Sequence, residues 1–172
     1  DSLVVSTPAM AQLVRRKFMD KPLSVIGEAV EDSGFGSLSA WEALKFRWSA
    51  RGTTPVVWFG IHGGSNAQYG MLDLYNIKTL LEAFHRRFRL SLTIVSNNRK
   101  KYEQHFRFWS IPTRYMEWRL QNFYAVLRSH VLAVIPITQN PFTRCKSNNR
   151  LATALHAGLP VVADSIPSYE EF

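Results

Sequence analysis

The sequence contains a single cysteine, Cys145, among 172 residues. One cysteine excludes an internal disulfide framework and favours a reducing compartment. No apolar run approaches the roughly 18 residues that a membrane-spanning helix requires, and no signal peptide is visible at the start of the chain. Internal repeats and low-complexity segments are missing as well. These absences predict a cytoplasmic globular protein, with peripheral contact to an anionic membrane left open.

Several motifs that mark common active sites are also missing. The chain has no G-x-S-x-G nucleophile elbow, and Cys145 has no nearby histidine with an orienting acid. No second histidine or cysteine stands at metal-ligand spacing from His62. We therefore expect no metal and no other cofactor, and the sequence assigns no catalytic residue.

Acidic residues are few relative to basic ones. The 21 lysines and arginines outnumber the 13 aspartates and glutamates and give a formal net charge of +8. Such a charge predicts an anionic partner, and nucleic acid, an anionic membrane and phosphorylated small molecules all satisfy it. Because 46% of the residues are apolar and 20% charged, the composition is that of an ordinary globular domain with one core.

From Thr53 onward, short apolar runs alternate with helical patterns. The runs "PVVWFG", "LSLTIVS", "VLAVIPI" and "PVVA" are typical of parallel strands that are covered on both faces. Their alternation with helices predicts an α/β fold with a Rossmann-like, doubly wound parallel sheet. On the first long helix, a single buried stripe is expected from Leu74, Ile77, Leu81, Phe84 and Phe88.

The first 54 residues have a less regular pattern. Thr7 and Pro8 predict the start of a helix, as its N-cap and its first helical residue. Strands are expected at "SLVVS" and "LSVIGEAV", and a helix around "AWEALKFRW". Because the periodic order lapses between residues 29 and 54, this part is predicted to be a linker or insertion.

Ligands of such sheets bind at the carboxyl ends of the strands, which makes three loops candidates. Residues 60–70 include Gly63 and Gly64, which let backbone N–H groups approach an anion. The spacing matches neither a dinucleotide fingerprint nor a Walker loop, so a tight turn is the alternative. Residues 96–101 contain the basic run Arg99 to Lys101, which favours a solvated face and has a phosphate contact as the alternative.

The third loop, residues 138–150, carries the most informative local signal. Lys146 and Arg150 flank Ser147, Asn148 and Asn149, and serine or asparagine is a natural cap for a helix that begins near Asn149. Cations at a helix N-terminus oppose the macrodipole unless they share an anion. The basic residues therefore indicate a bound phosphate.

These residues form part of a longer resemblance. "KSNNRLATALHAGLPVVADSIPSYEEF" resembles the donor-binding segment of GT-B-fold glycosyltransferases of the family 1 or group 1 type. "PVVWFGIHGGSNAQYGMLDL" is similar to the first strand and glycine loop of their C-terminal domain, and "DSLVVSTPAMAQLV" to the last strand and helix of the acceptor domain. The resemblance implies that residues 1–54 are the end of the acceptor-side domain with the hinge and an insertion. Residues 55–172 are then a nucleotide-sugar-binding domain, truncated at its C-terminus.

The resemblance implies transfer of a sugar from a nucleotide-sugar donor, in glycan biosynthesis, to an acceptor held by the missing N-terminal domain. Four residues match positions that meet the donor phosphates, namely Gly63, Gly64, Lys146 and Arg150. Weaker polar contacts are expected from Ser147, Asn148, Asn149 and Thr153. Thr153 stands where many retaining members carry a glutamate that holds the donor ribose, and residues 138–144 contain no glutamate. Because most of the acceptor domain is absent, we expect the isolated chain to transfer no sugar.

Two other hypotheses compete with this interpretation. The first is a non-catalytic, basic Rossmann-like module that binds nucleic acid or an anionic surface by charge. The basic residues are scattered along the chain rather than gathered on one predicted helix, which argues against nucleic acid. The second is a sheet that only supports assembly, its donor site having been lost together with the glutamate.

Overall fold

The computed structural model describes residues 1–30, 36–40, 43, 46, 50–63 and 69–172. Its strands are β1 (Leu3–Val5), β2 (Leu23–Val25), β3 (Thr54–Phe59), β4 (Leu90–Ser96), β5 (Thr113–Glu117), β6 (Leu132–Ile135) and β7 (Val161–Ala163). Its α-helices are α1 (Pro8–Arg15), α2 (Lys78–Phe88), α3 (Arg99–His105), α4 (Phe123–Arg128) and α5 (Asn149–His156). Helices of the 3-10 type cover Gly70–Ile77, Leu120–Asn122 and Thr143–Cys145. The helix predicted around residues 40–48 falls mostly outside the described residues.

Strands β3 to β7 form one sheet in the order β5-β4-β3-β6-β7, and every neighbouring pair is parallel. The chain moves outward from β3 to β5 and then returns to the other side of β3 at β6. This reversal creates a crevice at the carboxyl ends of β3 and β6, where doubly wound sheets bind their ligands. The predicted α/β, Rossmann-like fold class is confirmed.

Both faces of this sheet are buried, as the continuous apolar runs predict. On β3, Val56 and Trp58 face one core cluster, and the alternate residues Val57 and Phe59 face another. The first cluster includes Leu81 of α2 and Tyr102 of α3, whereas the second is built with residues of α4 and α5. Helices therefore cover the sheet on both sides and leave its edges as the accessible positions.

Strands β1 and β2 form a separate two-stranded parallel sheet. The predicted start of α1 is confirmed, since the Thr7 hydroxyl accepts a hydrogen bond from the Met10 N–H at 3.1 Å and Pro8 is the first helical residue. Regular strand structure in β2 ends at Val25, so this strand is shorter than the run "LSVIGEAV" predicts. The Thr7 hydroxyl also donates to the Cys145 carbonyl at 2.9 Å, which connects α1 to the larger sheet.

The predicted apolar stripe is only partly buried. Leu74 and Leu81 are buried and Ile77 packs against the core, but Phe84 and Phe88 are 46% and 45% exposed. Burial of these two phenylalanines is therefore a wrong prediction. The Thr54 hydroxyl at the start of β3 donates to the Phe88 carbonyl, so the last turn of α2 lies at the amino edge of the sheet. The strands begin there, so little of the sheet is available to cover the two rings, which stack on each other with centroids 5.7 Å apart.

Candidate functional site

The loops that follow β3 and β6 meet at the crevice of the sheet. The carboxylate of Asp73, which is fully buried, accepts hydrogen bonds from the Gly70 N–H at 2.9 Å and the Thr138 N–H at 3.2 Å. The Thr138 hydroxyl donates to the same carboxylate at 2.6 Å. One side chain therefore joins the end of the glycine loop to the loop that carries the predicted cations.

The glycine loop folds back onto the helix that follows it. Gly70 has a φ of 79°, and a Cβ placed there would lie 2.8 Å from the Ile61 carbonyl oxygen and 3.0 Å from the Gly63 nitrogen. Only glycine fits this close approach, which keeps Gly63 (φ of 88°) at the carboxyl edge of the sheet. Gly64 was predicted to contact the same anion, but it lies outside the described residues.

The two predicted cations, Lys146 and Arg150, lie together beside the glycine loop. Lys146 is partly buried, and its Nζ lies 5.5 Å from the ring centroid of Tyr69 and 5.7 Å from that of Phe142. An Nη atom of Arg150 lies 3.4 Å from the position that a Cβ on Gly60 would occupy. Burial, and next the charge of Arg150, lower the pKa of Lys146, while Asp73 opposes this shift. Two like charges thus share a partly buried position at the edge of the sheet.

A tyrosine near the end of the chain contacts one of these cations. Tyr169 is buried and lies close enough to Arg150 for the guanidinium to act on its hydroxyl. Burial raises the pKa of the Tyr169 hydroxyl, and the Arg150 charge opposes that shift. No local pattern predicts this contact, because "PSYEEF" is typical of an ordinary solvated helix start.

The four polar residues predicted around the helix start have different surroundings. The helix begins at Asn149 as predicted, but the N-cap Asn148 makes no side-chain capping bond. The Ser147 hydroxyl donates to the Glu28 carboxylate at 2.7 Å. Thr153 is 7% exposed, and its hydroxyl donates to the Asn149 side chain at 3.5 Å. Ser147 and Asn149 are therefore bonded within the chain, whereas Thr153 lies on the buried face of α5.

The basic run after β4 is not a uniformly solvated face. Lys101 is buried, and its Nζ donates to the His62 carbonyl in the glycine loop at 2.8 Å. Burial lowers the pKa of Lys101. Arg99 lies over the Tyr115 ring at 4.7 Å, and Lys100 is exposed. The expectation of a solvated run is therefore wrong for Lys101, which supports the backbone of the glycine loop.

Lys146 and Arg150 place positive charge at this edge of the sheet. In the part of the chain that the structure describes, no three His, Cys, Asp or Glu side chains come close enough together to hold a metal. Gly63, Lys146 and Arg150 instead bring a backbone turn and two cations to one edge. Across the described ranges, no helix has the length and apolar character needed to cross a membrane.

Comparison with known proteins identifies the fold. No protein-family model and no curated protein matches the sequence. Among solved structures, the chain is similar to WaaG, a glycosyltransferase involved in lipopolysaccharide biosynthesis, with a TM-score of 0.68 and 13% identity. It is also similar to the pneumococcal O-GlcNAc transferase GtfA, solved in complex with UDP and GlcNAc, with a TM-score of 0.55 and 16% identity.

These similarities span almost the whole chain but only part of each neighbour. The match covers 99% of this chain and 46% of WaaG, and 97% of this chain and 30% of GtfA. The chain therefore spans less than half the length of either enzyme. Both neighbours are glycosyltransferases, and the resemblance to the GT-B fold is confirmed. At identities this low the likeness is one of fold.

Proposed function

We propose that the chain is the nucleotide-sugar-binding part of a GT-B glycosyltransferase and that it binds the donor diphosphate between the glycine loop and two cations. The observation that carries the proposal is the position of two partly buried cations at the carboxyl edge of β3: Arg150 lies beside Gly60, and its charge acts on Lys146. Like charges in such a position raise the free energy of the empty site, and a bound anion offsets it. A diphosphate supplies two linked negative groups, one for each cation.

The same groups can assist the departure of the diphosphate. Sugar transfer leaves negative charge on the leaving diphosphate, and cations fixed beforehand at that position stabilise the charge as it develops. The buried Tyr169 hydroxyl lies beside Arg150 and limits where the guanidinium can move. No metal is part of this proposal, and no side chain is assigned the attack on the sugar.

Residues 1–30 support a further part of the proposal, an acceptor-side domain that continues from β1 and β2. Parallel sheets are usually covered on both faces. Here the two-stranded sheet leaves Val4 61% exposed, Val25 46% exposed and Ile26 61% exposed. An adjoining acceptor domain would cover these side chains, and the described chain alone is then expected to transfer no sugar. A cytoplasmic location, with peripheral contact to an anionic membrane through the net charge of +8, belongs to the same proposal.

The proposal is tested by removing both cations. We expect Lys146→Ala combined with Arg150→Ala to weaken the binding of the tightest ligand among UDP, ADP, GDP and CDP. Charge-assisted hydrogen bonds contribute about 1.5–3 kcal/mol each, so the Kd should rise about 100-fold or more. Isothermal titration calorimetry on the purified chain measures the change.

A matched control separates a specific site from general charge. Arg86→Ala with Arg87→Ala removes the same two charges from exposed positions in the last turn of α2. We expect this control to bind the diphosphate like the wild-type chain. Equal weakening by both double variants would contradict the donor site and favour the basic binding module instead.

A further inference from the structure

Asp73 is buried, charged and outside the set of predicted phosphate contacts. Its side chain is 0% exposed. One carboxylate oxygen accepts from the Gly70 N–H at 2.9 Å, and the other accepts from both the N–H and the hydroxyl of Thr138, at 3.2 and 2.6 Å. The Asn76 amide donates to the Thr138 hydroxyl as well, at 3.0 Å. Burying a carboxylate costs free energy unless hydrogen bonds satisfy its oxygens. The bonds from Gly70 and Thr138 are therefore strongly preferred over arrangements that leave the Asp73 carboxylate without partners.

The loop after β6 has its own hydrogen bonds, and Thr138 is the point at which they are anchored. The Thr138 carbonyl accepts from the Thr143 hydroxyl at 2.7 Å. The Asn140 side chain accepts from the N–H groups of Phe142 and Thr143, at 3.0 and 2.9 Å. The Lys146 N–H donates to the Thr143 carbonyl at 3.2 Å. Continuous bonding therefore runs from Thr138 to the backbone of Lys146.

We propose that Asp73, through Thr138, is a positioning residue that sets the distance between the glycine loop and Lys146 and thereby the affinity for the diphosphate. This inference rests on the proposed function, because it concerns the same site. Asp73 lies at the Gly70 end of the glycine loop and Thr138 at the start of the cation loop, so their bonds couple the two sides of the anion. Preorganised sites bind more tightly because less order has to be created on binding.

Asp73 also acts on Lys146 through its charge. Its negative charge opposes the lowering of the Lys146 pKa that burial and Arg150 cause. Asp73→Asn keeps the size of the side chain but removes the charge and replaces one acceptor oxygen by an NH₂ donor. The Lys146 pKa should then fall further, so the protonated lysine is lost at a lower pH. A purely structural aspartate would not shift the pH dependence of binding.

The first experiment measures nucleotide affinity in Asp73→Asn. At pH 7.5 we expect the Kd of the tightest nucleoside diphosphate to rise about tenfold, as for loss of a bond to a buried charged group. Between pH 7.5 and 10, the alkaline loss of affinity should begin at lower pH than in the wild-type chain. Lys146→Gln lacks the titrating lysine, so any alkaline change in its affinity comes from titration of the nucleotide base and serves as the baseline.

A second pair of variants keeps the test valid if Asp73→Asn does not fold. Thr138→Val removes only the hydroxyl that donates to Asp73, and Thr138→Ser restores it. We expect Thr138→Val to weaken diphosphate binding several-fold and Thr138→Ser to bind like the wild-type chain. Thr113→Val is the matched control, because it also removes one partly buried threonine hydroxyl. That hydroxyl lies at the start of β5 and donates to the Phe106 carbonyl. It should leave the affinity unchanged.

The outcomes separate this inference from the proposed function. Weaker binding in Asp73→Asn and Thr138→Val, restored in Thr138→Ser, together with the pH shift, supports the positioning role. If Asp73→Asn and Thr138→Val both bind with the wild-type affinity, the positioning role is overturned, even if Lys146→Ala with Arg150→Ala abolishes binding. If the double cation variant binds as tightly as the wild-type chain, the proposed function fails and the positioning role fails with it.

Discussion

At the scale of single residues, His130 is a buried titratable group away from the proposed nucleotide site. It is 6% exposed, and its Nδ1 and Nε2 lie 2.7 Å from the Val126 carbonyl and the Thr93 hydroxyl, respectively. Arg114 donates to the same Thr93 hydroxyl at 2.8 Å. Burial lowers the pKa of His130 to about 4, and the Arg114 charge contributes, although the Val126 carbonyl opposes the shift. The folded chain therefore favours the neutral imidazole.

This buried histidine predicts a loss of stability in acid. In the unfolded chain the histidine pKa is about 6.5, so between pH 6.5 and 4 the unfolded state binds more protons. The stability linked to His130 is present above pH 6.5 and falls by up to about 3 kcal/mol as the pH drops toward 4. Urea unfolding at pH 7.5 and 4.5 measures the change. His130→Gln should lose this part of the pH dependence, whereas His156→Gln, at an exposed position of α5, should keep it. Identical pH dependence in both variants would contradict the assignment.

At the scale of elements, the two halves of the α2 stripe should contribute unequally to stability. Leu81 is 5% exposed and belongs to the core cluster on the sheet, but Phe84 is 46% exposed. Truncation of a buried leucine to alanine costs about 2–5 kcal/mol. We expect Leu81→Ala to lower the free energy of unfolding by this amount and Phe84→Ala by less than half as much, in urea titrations at pH 7.5. If Phe84→Ala lowers the free energy of unfolding by more than half as much as Leu81→Ala does, the amino edge of the sheet is covered in solution.

The elements are also what the sequence predicted best. Apolar runs such as "LSLTIVS" identify the strands because a parallel strand is buried on both faces, and Thr7 with Pro8 identifies a helix start from local geometry alone. The bonds between Asp73 and Thr138 join residues 65 positions apart, and no local pattern indicates them. Lys101 escaped prediction for the same reason, since its carbonyl partner, His62, is 39 positions away. The proximity of Lys146 and Arg150 could be predicted because both flank one helix start, and their role as phosphate contacts stays a prediction.

At the scale of the whole molecule, the loop that carries Lys146 contacts both the small and the large sheet units. On one side, Thr7 of the α1 cap donates to the Cys145 carbonyl, and Ser147 donates to Glu28. On the other side, Ser168 donates to the Lys146 carbonyl at 2.8 Å, and Asp73 binds the loop through Thr138. Any rearrangement of residues 1–30 relative to the large sheet would therefore alter the surroundings of the proposed phosphate site.

The net charge of +8 makes salt dependence the test that separates the two binding hypotheses for the whole molecule. A polyanion that replaces its counterions at 6–10 phosphate contacts loses about 10³–10⁵ in affinity between about 50 and 200 mM salt. A single diphosphate beside Lys146 and Arg150 makes fewer contacts, and its partly buried partners are screened less. We therefore expect its Kd to rise less than about tenfold over that range, whereas binding of a short DNA should be weak and should vanish. Calorimetric titrations at four salt concentrations measure both slopes. The opposite result would be a steep salt dependence of diphosphate binding that both double variants reduce equally, Lys146→Ala with Arg150→Ala and Arg86→Ala with Arg87→Ala. It would mean that the surface charge as a whole binds anions and that the crevice does not.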